Sequence, residues 1–224
     1  MINIYDYLNN NVYPGRGIIV GKYEGKMVIA YFIMGRSENS RNRIFVKDGD
    51  RLFTKAFDES KVKDPSLIIY NCIRNIDGKT IVTNGDQTDT VYDYLKENKS
   101  FKEALYTRVY EPDEPNFTPR ISALVEDNKY VISILKKKDE ECERLFYEYD
   151  GKDGVGHFIS TYDHDGNPLP SFSKEPIEIK IDEDIDVFSE KLWNSLNSDN
   201  KISLYVRYIG LNDYEDVLIN KLGD

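Results

Sequence analysis

Four of the ten arginines, Arg16, Arg36, Arg41 and Arg43, fall within 28 residues of sequence. A guanidinium offers paired donors that match phosphate or carboxylate oxygens, so a few of them in one pocket suffice for a small anion. Arg16 follows Tyr13-Pro14-Gly15, a β-turn signature in which Pro sets φ and Gly tolerates positive φ. A basic head at the mouth of the strand that follows could hold a phosphate. The other three arginines share a nine-residue stretch, 35–43, with no apolar side chain. That composition fits a solvated charged loop, and it also fits an anion loop of guanidiniums, the Ser37 and Ser40 hydroxyls and glycine-permitted amides.

Three further groups could carry chemistry. Tyr70 is followed by Asn71, Cys72 and Arg74 at the end of an apolar run. It is either an ordinary core tyrosine or a phenol that donates to a developing oxyanion or relays a proton. Asn84-Gly85-Asp86-Gln87-Thr88-Asp89 turns into a helix, with Asp86 as N-cap or with the helix amides facing a polar ligand. In 111–120, Glu111, Asp113, Glu114, Asn116 and Arg120 are held by Pro112, Pro115 and Pro119, a rigid polar loop suited to a site that must not reorganise. An acidic surface connection is the plainer account of the same residues. Asn116-Phe117-Thr118 matches a glycosylation sequon, which has no consequence in the cytoplasm.

Metal and nucleophile chemistry fit poorly. His157 and His164 are seven apart, outside any zinc-binding spacing, and Cys72 and Cys142 cannot form a four-thiolate site. Asp163-His164-Asp165-Gly166 starts like a calcium loop but has Lys174 where the twelfth-position glutamate belongs, so it reads as a turn. No Gly-x-Ser-x-Gly elbow or Walker loop occurs, and Cys72 reads as a small buried hydrophobe. No metal and no cofactor are expected.

The elements that must position these residues are strand-rich. Residues 17–22 and 27–34 form a hairpin around Tyr23-Glu24-Gly25-Lys26. Strands are expected over 51–57, 67–76 and 80–83, the last two joined at Asp77-Gly78, a strong hairpin signal. Helices follow over 86–98 and 100–110, the second opened by a Ser100/Glu103 capping box. After the prolines come strands over 121–125, 130–135, 144–149, 157–162 and 177–181, a helix over 185–196, and a half-buried alternating strand over 202–209. The pattern predicts an α+β protein of one domain, 1–224, with two packed sheets and helices outside.

The chain has 224 residues, with 30 Lys+Arg against 40 Asp+Glu and a net charge of −10. Residues 1–112 carry 17 basic and 15 acidic side chains; residues 113–224 carry 13 and 25. An acidic protein with one arginine cluster is a poor general nucleic-acid binder but a reasonable binder of one small anion. No apolar run is long enough to span a membrane, and the start shows no signal-peptide pattern, so a cytoplasmic protein without membrane partners is expected. Seventeen tyrosines leave room for an aromatic homo-oligomer interface.

Read in order, the blocks are Tyr-Pro-Gly-Arg-Gly (13–17), Gly-Arg-Ser-x-x-Ser-Arg-Asn-Arg (35–43), Tyr-Asn-Cys-Ile-Arg (70–74), Asn-Gly-Asp-Gln-Thr-Asp (84–89), Tyr-Glu-Pro-Asp-x-Pro-Asn-x-Thr-Pro-Arg-Ile (110–121) and Gly-Asn-Pro-Leu-Pro (166–170). Together they resemble the archaeal-type IMP cyclohydrolases and their bacterial relatives. The resemblance implies closure of 5-formamidoimidazole-4-carboxamide ribotide (FAICAR) to IMP with loss of water. It also implies a four-layer αββα sandwich like that of the N-terminal-nucleophile hydrolases. Such a nucleophile must be an N-terminal Thr, Ser or Cys, and Met1-Ile2 supplies none without processing. The resemblance assigns Arg43 and Tyr70 to the formyl oxygen and Glu111 to proton transfer. It gives Arg16 and Arg36 with Ser37 to the phosphate, and Asn84, Asp113, Asn116 and Arg120 to base and ribose. Whether Arg41 or Arg43 takes the reactive position is open. The alternatives are an amide hydrolase of the same fold and a purine-nucleotide binder without catalysis.

Overall fold

The computed structural model describes residues 1–62 and 69–223. Helix α1 (Ile4–Asn9) precedes the hairpin β1 (Arg16–Tyr23)–β2 (Lys26–Met34). The short helix α2 (Glu38–Arg41) leads into β3 (Arg43–Asp48), β4 (Arg51–Ala56), β5 (Asn71–Ile76) and β6 (Lys79–Thr83). Helices α3 (Gln87–Lys96) and α4 (Phe101–Tyr106) are followed by β7 (Arg120–Glu126), β8 (Lys129–Lys138) and β9 (Glu141–Asp150). The chain ends with β10 (Val155–Ser160), β11 (Ile177–Lys180), α5 (Ile185–Ser195), β12 (Lys201–Ile209) and β13 (Tyr214–Asn220). Every strand pairing within the sheets is antiparallel: one sheet runs β11-β10-β1-β2-β12-β13, the other β3 to β9 in chain order.

Strand alternation distributes side chains between three cores. In β2, Ile29, Tyr31 and Ile33 face the other sheet, where they meet Phe45, Ile73, Ile121 and Ile132. Val28, Ala30, Phe32 and Met34 of the same strand face outward, against Ile4 and Leu8 of α1 and Phe188 and Leu192 of α5. On the second sheet, Ile81, Leu124 and Leu135 pack on Val91 of α3 and on Phe101 and Leu105 of α4. The layers therefore read helix, sheet, sheet, helix. Both faces of β2 are covered, which is why its sequence is a continuous apolar run and not an alternation. Each fully buried side chain of this size contributes roughly 1.5–3 kcal/mol.

The expected α+β class, paired sheets and outer helices are present. The Asp77-Gly78 turn has φ of +48° and +74°, the mirror-image turn that matches strand twist. The Ser100/Glu103 capping box forms in both directions, Ser100 N donating to Glu103 Oε2 at 2.7 Å and Glu103 N to Ser100 Oγ at 3.2 Å. Several expectations are corrected. The helix expected to reach 110 ends at Tyr106, and β3, β13 and α1 were not anticipated. The strand expected over 67–76 is observed as Asn71–Ile76, its first two positions lying outside the described residues. The β12 strand is not half-buried: Leu204, Val206 and Tyr208 pack under α5 while Ser203, Tyr205 and Arg207 face inward. Ser203 Oγ donates to Asn220, the Tyr205 hydroxyl to Asp216 and Arg207 Nη2 to the Asp50 carbonyl, while Arg207 Nε is buried without a hydrogen-bond partner among the described residues. Among the described residues no helix is long and apolar enough to cross a membrane.

Candidate active site

Arg16 opens β1 on the face that Ile18 and Val20 turn toward the other sheet. Its backbone is clamped, N donating to Thr161 Oγ1 at 3.1 Å and O accepting from Thr161 N at 2.9 Å. The preceding Gly15 has φ +80°, and a Cβ there would lie 2.3 Å from Thr161 Oγ1 and 2.6 Å from the Tyr162 ring. Only glycine fits this turn. The turn expected at 13–17 is present, and it aims Arg16 between the sheets.

There Arg16 Nη2 donates to both Glu111 oxygens, at 2.7 and 2.9 Å. The pair is nearly removed from water, with 12% and 4% of the two side chains exposed. Glu111 comes from the proline-held loop, which closes on itself through Glu111 N to Thr118 O at 2.9 Å and Thr118 N to Asp113 Oδ1 at 2.7 Å. Burial pushes the Glu111 carboxyl above its ordinary value; Arg16 and Arg120 pull it down, and Asp113 pushes it up. Burial also opposes the Arg16 charge, but Glu111 together with Tyr70, Tyr162 and Tyr31 outweighs it, so the guanidinium is held firmly protonated. Arg16 Nε is buried without a hydrogen-bond partner among the described residues.

Tyr70 lies just before β5, pinned by Tyr70 N to Thr54 Oγ1 at 2.9 Å and Thr54 N to Tyr70 O at 3.0 Å. Its hydroxyl is 2.8 Å from the Tyr31 hydroxyl, so the phenols of the two sheets meet. Burial pushes Tyr70 up to about 12, with Cys72 adding to the rise and Arg16 and Arg43 opposing it. Arg43 begins β3 and is buried, with Nε donating to Ser40 O at 2.7 Å and Nη2 to Met34 O at 3.3 Å. Arg41 points elsewhere, to Gly35 O and to Asn200 Oδ1, both at 3.0 Å. The stretch 35–43 is thus a short helix running into β3. Arg41 at the helix end and Arg43 at the strand start diverge, and Arg43 is the one whose field reaches Tyr70 and Cys72. Burial pushes the Cys72 thiol up, in keeping with a small hydrophobe.

The remaining expected residues surround this centre. Arg36 is partly exposed, bound to Asp165 Oδ1 at 2.6 Å and Gly166 O at 3.0 Å, with its guanidinium 5.0 Å above the Tyr13 ring. Tyr13 stacks on Tyr162, whose hydroxyl meets Thr118 Oγ1 at 2.5 Å. Ser37 caps α2 in a capping box with Ser40. Asn84 is fully buried and its amide is occupied at both ends, donating to Pro119 O and accepting from Gln87 Nε2 and Ile121 N, each at 2.9 Å. Arg120 donates to Val109 O at 2.9 Å and to Asp86 Oδ1 and Gln87 Oε1, each at 2.7 Å. Asp113 serves Thr118, and Asn116 Oδ1 accepts from Leu169 N at 3.0 Å, tying the proline loop to the 163–170 loop. Asp86 does not cap α3 with its side chain; Arg108 and Arg120 take its carboxylate.

The structure therefore brings Arg16, Glu111, Tyr70 and Arg43 to one end of the inter-sheet space, with Arg120 adjoining Glu111. Arg36 and Ser37 form a rim, while Asn84, Asp113 and Asn116 hold loops. Tyr31, Tyr13, Thr118 and Tyr162 also belong here. Tyr31 is hidden in an apolar run, and only its being a tyrosine among aliphatic residues marked it. Among the described residues, no group of three or more His, Cys, Asp or Glu could hold a metal ion. What the arrangement offers is fixed positive donors, a neutral phenol and one carboxylate shielded from water.

A family profile described as "IMP cyclohydrolase-like protein" matches residues 13–213. The IMP cyclohydrolase of Methanopyrus kandleri is 33% identical over 156 residues, covering 67% of this chain and 75% of that protein. The IMP cyclohydrolase of Methanococcus aeolicus is 29% identical over 157 residues, covering 68% and 75%. That of Methanocaldococcus jannaschii is 29% identical over 153 residues, covering 67% and 73%.

Proposed function

The chain belongs to the IMP cyclohydrolase-like family, and from that premise we propose that it is an IMP cyclohydrolase, closing FAICAR to IMP with loss of water in purine biosynthesis. The observation that carries the chemistry is the buried Arg16–Glu111 pair beside Tyr70 and Arg43. Both reacting groups already sit on one molecule, so the protein must orient them, stabilise charge and move protons. The carboxamide nitrogen attacks the formyl carbon; a C–N bond forms and the carbonyl π electrons move to oxygen. Arg43 and Tyr70 donate to that oxygen. Glu111 takes the proton released by the attacking nitrogen and passes it to the oxyanion, giving a hydroxyl. The former formamide N–H then loses its proton, and the ring C=N bond forms as the C–O bond breaks. That second proton leaves with the hydroxyl as water.

Burial supports the Glu111 role, because raising its pKa makes the carboxylate a stronger base toward the attacking nitrogen and keeps the proton it takes available for the second half of the reaction. Arg16 holds Glu111 and, with Arg36 and Ser37 at the rim, supplies the positive field for the ribotide phosphate. Arg120, Asp113 and Asn116 flank the base and ribose. Asn84 acts through the loop it holds, its amide being occupied at both ends. We read the 1–224 chain as one domain of N-terminal-nucleophile-hydrolase-like fold, a reading supported by the helix, sheet, sheet, helix order, and place it in the cytoplasm with its nucleotide. The test is incubation of the purified chain with FAICAR while IMP absorbance is followed. IMP formation that saturates with substrate is expected; a folded chain that binds IMP but forms none would leave a nucleotide-binding protein.

A further inference from the structure

Tyr31 and Tyr70 are the two phenols whose hydroxyls meet where the sheets face each other, 2.8 Å apart. Each neutral phenol has one proton to give and can accept others. Tyr31 is fully buried on β2, stacked on Phe45 with ring centroids 5.5 Å apart. Among the described residues its hydroxyl has one hydrogen-bond partner, the Tyr70 oxygen. If Tyr70 donated inward, the Tyr31 proton would be left unpaired in the core, an arrangement proteins avoid. The satisfied arrangement has Tyr31 donating. Tyr70 then keeps its own proton for the other side, where Arg16 and Arg43 are the charged neighbours. Neither guanidinium can accept a hydrogen bond. The acceptor has to arrive with the ligand.

Resting on the cyclohydrolase reading above, we propose that Tyr31 is a positioning residue of that site: its hydroxyl donates to the Tyr70 oxygen and commits the Tyr70 proton to the ligand oxygen that gains charge. A hydrogen bond received by Tyr70 also polarises the one it gives, so the contribution of Tyr31 is larger in the transition state than in the ground state. Tyr31→Phe removes the hydroxyl and keeps the stacked ring.

The expected result is a kcat about tenfold lower with KM within about twofold, the signature of an interaction used mainly in the transition state. In a Tyr70→Phe background, Tyr31→Phe is expected to cause no further loss, because the path through Tyr70 is already gone. Wild-type kcat in the single variant, or the same loss in both backgrounds, overturns the proposal. If Tyr31→Phe does not fold, 3-fluorotyrosine at position 31 keeps ring and hydroxyl while making the phenol a stronger donor. Its kcat is then expected to shift only when Tyr70 is present, and a shift independent of Tyr70, or none, overturns the proposal. A wild-type protein that makes no IMP brings down the cyclohydrolase reading and this one with it. An active wild type with an indifferent Tyr31 brings down this one alone.

Discussion

Glu111 is the residue in which burial and function meet most directly. A carboxylate removed from water is costly unless paired, and Arg16 pairs it from 2.7 and 2.9 Å. Desolvation still wins, so its folded value lies above that of an ordinary glutamate. If the carboxylate form starts the reaction, kcat/KM must fall as pH drops through that raised value. The acidic limb of the pH profile is therefore expected above the usual glutamate range, and Glu111→Gln is expected to abolish the limb while lowering kcat about 10²-fold or more. A limb that persists in the Gln variant assigns the proton transfer elsewhere. The arginine pair gives a second check. Arg43→Lys is expected to cost about 10²-fold in kcat, the scale of one lost oxyanion donor, whereas Arg41→Ala leaves kcat within about threefold. Equal losses would remove the distinction drawn from their divergent hydrogen bonds. At this scale the sequence was only partly legible. The types at 16, 43, 70 and 111 stood out, but nothing in a charge-rich stretch says that Arg43 is buried while Arg41 reaches Asn200.

Between residues and fold stands the turn that feeds β1. Gly15→Ala must accept both a positive φ and a Cβ 2.3 Å from Thr161 Oγ1, whereas Gly25, at φ +82°, has nothing within 4 Å. Left-handed strain costs about 1–2 kcal/mol for an alanine, and overpacking adds about 1–3 kcal/mol at Gly15 alone. Chemical denaturation is expected to show Gly15→Ala losing roughly 2–5 kcal/mol and Gly25→Ala only the strain. Similar losses at both positions would mean that the Thr161 side gives way freely. Elements with strong local chemistry were readable in the sequence for this reason: turns at Gly25 and Gly78 demand positive φ, and the Ser100/Glu103 spacing satisfies helix donors. Elements defined by partners were not. Strand β3 begins in the arginine cluster, and β13 has mostly half-exposed residues that make sense only beside β12.

The whole molecule depends on holding two sheets face to face, and the proposed active-site residues come from both. Arg16 and Tyr31 lie on the first sheet and Arg43 on the second, with Tyr70 and Glu111 entering beside it. Far along the sandwich a separate clasp joins the same sheets. His157 of β10 has Nδ1 2.6 Å from the Tyr130 hydroxyl of β8, and its ring stacks on Tyr149 of β9 with centroids 3.7 Å apart. Burial pushes the His157 value below the ordinary imidazole, with Glu178 pulling it partly back. A histidine depressed in the folded state takes up its proton more readily when unfolded, so its contribution to stability is complete above the ordinary histidine value. That contribution is lost as pH falls from there through the lower folded value. The melting temperature of the wild type is therefore expected to drop more steeply between pH 7.5 and 5.5 than that of His157→Gln, whose position 157 does not titrate. Acidic side chains protonate in both proteins, so it is the gap between the two curves that reports His157. A gap that stays constant over this range would mean that the clasp acts by packing alone. A gap that closes while kcat at substrate saturation stays parallel would place the pH sensitivity in sheet closure and leave Glu111 as the separate source of the pH dependence of catalysis.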